Sequence, residues 1–498
     1  MLRFIKLACL FILILILIPN TWGTNYSSVV YLDAGQDIQA VINACPNSGG
    51  CVITLGPGTW TYNTDVDVPV LLVTASVLKS DITIRGSGMG VTTLDYTYAA
   101  DPCPAEGNKQ AIIAIGNSGC ATNQVGLSGT SANITISDLT LSGNNWIGGI
   151  TVGSQNCVKC TGTDNLVVSD VTIRDVEFLN TGLGTEETAA ILAWAVDRIT
   201  IDHIVTRGLQ SHGIAANAID YSSIVNNYIE IQGSTNLWDN GIQVGYSNGT
   251  GIVNNTVRGT SADSQHGIRL IRPNGNTTNS QDITVSNNRV LSMGGKGIYV
   301  EAGTGAAVQQ GIEVSNNIVR SSGDHGIYFS GLIQASQIIG NIVRSAAGDG
   351  IHIAGIDGQI DDILITSNTV LLSTSDGIEV GRASGATVNN VVVVNNILRS
   401  NTGYGWNILA TAQSFLVAGN YDSGNTAGRQ LIAAASTGLV GVSYNAGFVT
   451  INEGSKSASY MDVQGSGGIN IAGPTVLGTA GGTGGTAVNR STNSQLRW

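Results

Sequence analysis

Charge is what this 498-residue chain has least of: Asp, Glu, Lys and Arg together make up 11% of it, against the usual ~25%. Bases are scarcer than acids, 22 against 34. A general nucleic-acid-binding protein needs a basic footprint, so that class is excluded. After Ile18 no apolar run approaches the length that carries a helix across a bilayer. Helical periodicity is missing beyond residue 45, which excludes helical repeats. Low charge also marks disordered chains, but those are poor in Ile and Val, whereas 42% of this chain is hydrophobic. What it has in abundance is Gly, Asn, Ser, Thr and β-branched residues.

The first residues read as a processing signal. Arg3 and Lys6 precede an apolar run from Leu7 to Ile18, too short to span a bilayer, and Thr21 and Gly23 suit signal peptidase. Cleavage near Gly23 is expected, leaving residues 24–498 as a secreted or cell-surface protein without membrane attachment. Apart from Cys9, the cysteines are Cys45, Cys51, Cys103, Cys120, Cys157 and Cys160. An even number in an exported chain reads as disulfides, and the simplest pairing is local: Cys45–Cys51, Cys103–Cys120 and Cys157–Cys160.

A Gly-Ile pair recurs at Gly213, Gly241, Gly267, Gly297, Gly326, Gly350 and Gly377, and Gly405 continues it with Trp406 in the Ile place. A second landmark is asparagine after a β-rich run: Asn227, Asn255, Asn288, Asn317, Asn341, Asn368, Asn396 and Asn420. From Asn288 to Asn396 each precedes the next landmark glycine by 9 residues. Earlier coils carry Asp138, Asp170 and His203 at what reads as the same place. Periods of this size mean solenoids or propellers, and a propeller blade needs more residues. A coil of three short strands is what a parallel β-helix requires, with equivalent strands about 4.8 Å apart. The asparagines are expected to hydrogen-bond up and down the stack, and the glycine to serve a bend. The stretch "DAGQDIQAVINAC" puts Ile38, Val41, Ile42 and Cys45 on one helical face, predicting a capping helix over 34–45 with Asp33 as N-cap. The solenoid is expected to end near residue 425, with 426–498 a cap or β appendage and a Gly-rich tail.

The segment "DIQAVINACPNSGGCVITLGPGTWTY" with "ITIRGSGMGVTTL", and the later "GDGIHI" and "NNIV" repeats, resemble the pectate-lyase-like superfamily. The resemblance covers roughly residues 33–425. It implies an all-β fold, a right-handed parallel β-helix with an N-terminal capping helix. It also implies a polysaccharide partner, since members include pectate and alginate lyases, polygalacturonases, mannuronan C5-epimerases and tailspikes. The "NTD" of polygalacturonases occurs only at Asn63–Asp65, without its later acidic and histidine motifs, and the epimerases' "DPHD"-type stretch is missing.

In a strand the residue after the core-facing Ile points outward. Through the coils that position reads Ala215, Gln243, Arg269, Tyr299, Tyr328, His352, Glu379 and Asn407. The position before the glycine reads His212, Asn240, His266, Lys296, His325, Asp349, Asp376 and Tyr404. A bland solvated face favours Thr, Ser, Asn and Lys; this mixture suits acid–base work on a sugar. In a uronate lyase or C5-epimerase, Arg269 and Lys296, or a bound Ca²⁺, would neutralise the substrate carboxylate. Tyr299, Tyr328 or His325 would take the proton and His352 would give one. In a hydrolase, two of Asp349, Asp376 and Glu379 would form the catalytic pair. Gln243, His266, Lys296, Asp349, Asp376, Glu379 and Tyr404 are expected to line the substrate. The non-catalytic alternative is an adhesin or tailspike-like rod that binds glycan without turning it over.

Overall fold

The computed structural model describes residues 28–47, 49–63, 71–72, 79–97, 111–116, 129–144, 148–153, 166–179, 189–210, 212–232, 239–260, 265–272, 279–302, 308–355, 359–382, 386–409, 411–432, 437–440, 443–445, 448–450, 469–470 and 495–496. The expected signal segment and the expected pairs Cys103–Cys120 and Cys157–Cys160 lie outside the described residues. Cys45–Cys51 is formed, with Cα atoms 5.8 Å apart.

From Ser28–Leu32 to Thr437–Val440 every described strand pairing is parallel, and each strand pairs with its equivalent one coil away. Parallel pairing therefore begins ahead of the helix and runs past residue 425. Beyond it, Ser443–Asn445 and Phe448–Thr450 pair antiparallel. Residues from Ser455 onward form a separate unit, in which Ile469–Asn470 and Gln495–Leu496 pair antiparallel. Among the described residues no helix is long and apolar enough to cross a membrane.

The helix is Ile38–Ala44, shorter than its periodicity suggests, and it buries Ile38 and Ile42. Its N-cap is Asp37, not Asp33: the Asp37 carboxylate accepts from Ala40 N at 3.0 Å. The Asp33 carbonyl is used by the preceding turn, where it accepts from Gln36 N.

Three sheets run along the regular coils. The glycine sheet includes His266–Arg272, Ile298–Ala302, Ile327–Ser330, Ile351–Ala354, Ile378–Val380 and Tyr404–Ile408. The middle sheet includes Thr284–Ser286, Glu313–Ser315, Ile333–Ile339 and Ile360–Thr366. The third includes Thr256–Gly259, Arg289–Leu291, Ile318–Arg320, Ile342–Arg344, Thr369–Leu371 and Ile397–Arg399. Their inward Ile, Val and Leu make one continuous core. Alternation of side chains along each strand is what puts them there.

The landmark glycines serve close packing and not a left-handed bend. None is among the residues with positive φ. A Cβ on Gly326 would lie 2.3 Å from Val343 Cγ1 and 2.6 Å from the Gly350 carbonyl, and one on Gly350 would lie 2.0 Å from Val370 Cγ1. The glycine sheet meets the third sheet here with no room for a methyl group. Gly326→Ala should lower stability by roughly 1–3 kcal/mol. An unchanged denaturation midpoint would show that Val343 can move aside.

The asparagines form a buried ladder. Each Nδ2 from Asn227 to Asn396 donates to a carbonyl of the preceding coil and to the next asparagine's Oδ1, which also accepts the backbone N–H, and Asn420 ends the ladder by donating to the Val393 carbonyl. Asp138 and His203 are not its early members. Their register aligns them with Asn226, one residue before the ladder, and Asp170 sits at another bend, in line with Asn133 and Arg198. All share positive φ (Asp138 59°, Asp170 54°, His203 54°, Asn226 57°). These short polar side chains occupy left-handed bend positions, which Asn and Asp tolerate better than most residues. Ile204 stands where the ladder asparagine would be, its N–H accepted by Asn227 Oδ1 at 2.8 Å.

Candidate active site

The outward column is in register: Ala215, Gln243, Arg269, Tyr299, Tyr328, His352, Glu379 and Asn407 are consecutive Cα partners. It lies outside the apolar core, yet it is not a solvated face. Arg269 is 4% exposed, Tyr328 6% and His352 9%. Coils about 4.8 Å apart bring large side chains into contact, so they cover one another.

The column before the glycine has a repeated structural task. His212 Nδ1 accepts the backbone N–H of Asn240, His266 Nδ1 that of Lys296, and His325 Nδ1 that of Asp349. Asp349 Oδ1 then accepts from Asp376 N at 2.9 Å, and Asp376 Oδ1 from Tyr404 N at 2.6 Å. His and Asp interchange because both present an acceptor at that height. Lysine has none, and Lys296 instead donates its Nζ to Asp324 of the next coil. The acceptor role puts the proton of a neutral imidazole on Nε2. Burial, followed by the charges of Arg269 and Lys296, depresses His266 to about 3, so it stays neutral.

Tyr299 and Tyr328 stack with centroids 5.2 Å apart. His325 stacks on Tyr328 at 4.9 Å, and His266 meets the edge of Tyr299 at 5.1 Å. Lys296 Nζ lies 4.9 and 5.1 Å from the two tyrosine centroids, and the Arg269 guanidinium 5.7 Å from Tyr299. Burial, with Glu301 beside it, pushes Tyr299 up to about 12. Tyr328 is raised too, by burial and by Tyr299, while the charge of exposed Arg382 pulls it down.

The two expected carboxylate neutralisers already have partners. Arg269 Nε and Nη2 both bind Glu301 Oε2, the first at 2.9 Å. Lys296 Nζ binds Asp324 Oδ2 at 2.7 Å. Arg382, just beyond the Glu379 strand, is exposed and forms no ion pair among the described residues, which leaves it open to a ligand at this end of the column. Sequence reasoning passed over Glu301 and Ser330, although period 2 places them on the same face as Tyr299 and Tyr328; the Tyr299 hydroxyl lies 3.2 Å from Ser330 Oγ. Arg382 follows Gly381 (φ 91°), where the strand pattern ends, and carries no periodic signal.

His352 Nδ1 lies 3.0 Å from Asp349 Oδ2 and its Nε2 3.2 Å from Glu379 Oε1. These are charge-pair distances, out of line for hydrogen bonds, and both nitrogens are buried. His352 therefore does not face a substrate directly. Burial alone would raise Asp349, but the imidazoles of His325 and His352 outweigh it and hold the carboxyl far below its usual range. Burial, then the charge of Asp349 and the closeness of Asp376, raises Glu379 to about 8. Asn407 Nδ2 donates to Asp376 at 2.8 Å and to Glu379 at 3.2 Å. Gln243, two coils before Tyr299, and Tyr404, one coil beyond Asp376, belong to the columns but stand apart from the tyrosine pair.

Two sets of donors lie within 4.8 Å of one another: His325, Asp349 and His352, and Asp349, Asp376 and Glu379. The second, all oxygen, is the kind that takes Ca²⁺. In both sets Asp349 already accepts a backbone amide, and in the first His325 Nδ1 does so as well.

Residues 156–334 match the family described as right handed beta helix region, and residues 274–429 the family described as periplasmic copper-binding protein (NosD). No curated protein matches. Among solved structures, the A-module of a mannuronan C-5 epimerase of Azotobacter vinelandii is 17% identical, with 72% of this chain and 89% of that one covered and a TM-score of 0.47. The Dettilon tailspike protein is 15% identical over 82% and 68%, with a TM-score of 0.46. The catalytic unit of an α-1,3-glucanase from Streptomyces thermodiastaticus is 14% identical over 85% and 68%, with a TM-score of 0.43.

Proposed function

We propose that this right-handed parallel β-helix is an exported carbohydrate-active enzyme, a lyase or C5-epimerase of uronate-containing polysaccharide. The observation that carries this reading is the stacked pair Tyr299–Tyr328, with the ion-paired Arg269 and Lys296 against the rings and Arg382 near enough for its charge to act on Tyr328. Removing the C5 proton of a uronate places negative charge on its carboxylate, and fixed positive charge nearby lowers that barrier. Arg382 binds the carboxylate. Tyr328, once ionised against the burial that holds its proton on and with Arg382 offsetting part of that, takes the C5 proton as phenolate. Tyr299 keeps its own proton and gives it to the leaving oxygen as the C4–O bond breaks, or back to C5 on the opposite face. His352 supports Tyr328 from the next coil, its ring edge-on 5.1 Å from the tyrosine's.

One observation favours hydrolysis: Glu379, raised to about 8, stands near an ionised Asp349, an acid beside a base. Existing bonds weigh against it, since Asp349 Oδ1 already accepts the Asp376 amide and Asp376 Oδ1 that of Tyr404. Copper, in the description of the family matched by 274–429, would find two imidazoles and a carboxylate in His325, His352 and Asp349. The His325 Nδ1 lone pair is committed to the Asp349 amide, so the set does not fit the ion as it stands and no step is routed through one.

The pH profile separates the two chemistries. Tyr328 must lose a raised proton to act as base, so lyase or epimerase turnover should keep climbing with pH through the alkaline range. A hydrolase that uses Glu379 as acid should fall as pH rises through about 8. Assays on polygalacturonate, alginate and neutral glucans, read at 235 nm, by reducing ends and by C5 configuration, decide between them. Binding without turnover on every glycan would make the protein an adhesin.

A further inference from the structure

The third sheet carries a feature that the site does not use. Its last outward position reads Arg258, Leu291, Arg320, Arg344, Leu371 and Arg399 in unbroken register. Its first outward position reads Thr256, Arg289, Ile318, Ile342, Thr369, Ile397 and Tyr421. All five arginines are exposed. Arg258 lies 3.8 Å from Glu230; among the described residues the other four have no carboxylate partner. Five coil steps separate Arg258 from Arg399, a cationic stripe roughly 24 Å long on the helix axis. In a chain with 34 acids and 22 bases, five arginines on one face are a local reversal of sign.

Between the arginines stand exposed apolar side chains, Ile342 (41%), Ile397 (41%) and Tyr421 (40%). An open groove of about 490 Å³, lined by Gly259, Thr260, Ser292, Ser321 and Ser345, runs along the edge of the stripe. Its serines directly follow Leu291, Arg320 and Arg344, and the same turns lead on to Lys296 and His325 of the site.

We infer that this face binds an anionic polysaccharide laid parallel to the helix axis, outside the catalytic column. The partner class rests on the uronate reading of the site; the presence of an anion surface does not. A sugar chain presents apolar ring faces to Ile and Tyr and anionic groups to the arginines, which form bidentate pairs with carboxylate or sulfate. The stripe is one or two side chains wide on an otherwise acidic molecule, a poor match for the broad negative surface of a duplex or a membrane. Such a face would hold the polymer while the site works on a segment of it.

The test is affinity electrophoresis of the whole secreted protein in gels containing polygalacturonate, alginate or dextran, with competition by duplex DNA and phosphatidylserine vesicles. Retardation by a polyuronate and not by dextran is expected, fading as salt approaches 1 M, where screening acts over about 3 Å. The triple variant R320Q/R344Q/R399Q should keep its melting temperature and bind at least about tenfold more weakly, since several exposed ion pairs are lost. Tyr328→Phe should keep the retardation while losing turnover, so failure of the site reading is seen separately. Unretarded wild-type protein, a triple variant retarded as strongly as wild type, or equal capture by DNA or vesicles would overturn the proposal.

Discussion

Tyr328→Phe should lower turnover on polyuronate by about 10²-fold or more while leaving the melting temperature within a few degrees of wild type. Phenylalanine keeps the ring that stacks on Tyr299 and His325, and the residue is absent from the apolar core, so only the hydroxyl is lost. Tyr299→Phe should do the same through the other proton transfer. An epimerase variant at either position should also change which face exchanges solvent deuterium at C5, which a structural defect would not do. Full activity in both, with activity lost only at Asp349, Asp376 or Glu379, would shift the assignment to hydrolysis.

Asn341→Ala is expected to give the largest loss of stability. It removes the acceptor for Asn317 N (2.9 Å) and Asn317 Nδ2 (3.0 Å), and the donor to the Val314 carbonyl (2.8 Å). Asn317, Asn341 and Asn368 are all fully buried. Each buried polar group left unpaired costs about 1–3 kcal/mol, so a loss of roughly 3 kcal/mol or more follows. In a solenoid each coil contacts only its neighbours, and the damage should concentrate in the coils on either side. Hydrogen exchange should therefore quicken around residues 313–345 before the ends of the solenoid respond. Uniform exchange, or an unchanged midpoint, would show that water replaces the ladder without cost.

The period of the Gly-Ile pairs, the 9-residue arc from asparagine to glycine and the alternation of Ile and Val were enough to establish the solenoid, its core and the register of both candidate columns. These are local, repeated patterns, and in a parallel stack a residue's neighbour is its own counterpart one period away. Which of those residues are free to act was settled only by the folded molecule. Arg269 meets Glu301 and Lys296 meets Asp324 across one coil, and coil lengths of 24 to 30 residues hide such partners from any fixed spacing. The same holds for the His and Asp acceptors that close on the next coil's amide, and for the glycines, whose need is the valine facing them and not their own φ. Arg382 and the arginine stripe depend on what surrounds them, because a lone cation in sequence becomes a binding group only when the fold leaves it without a carboxylate partner.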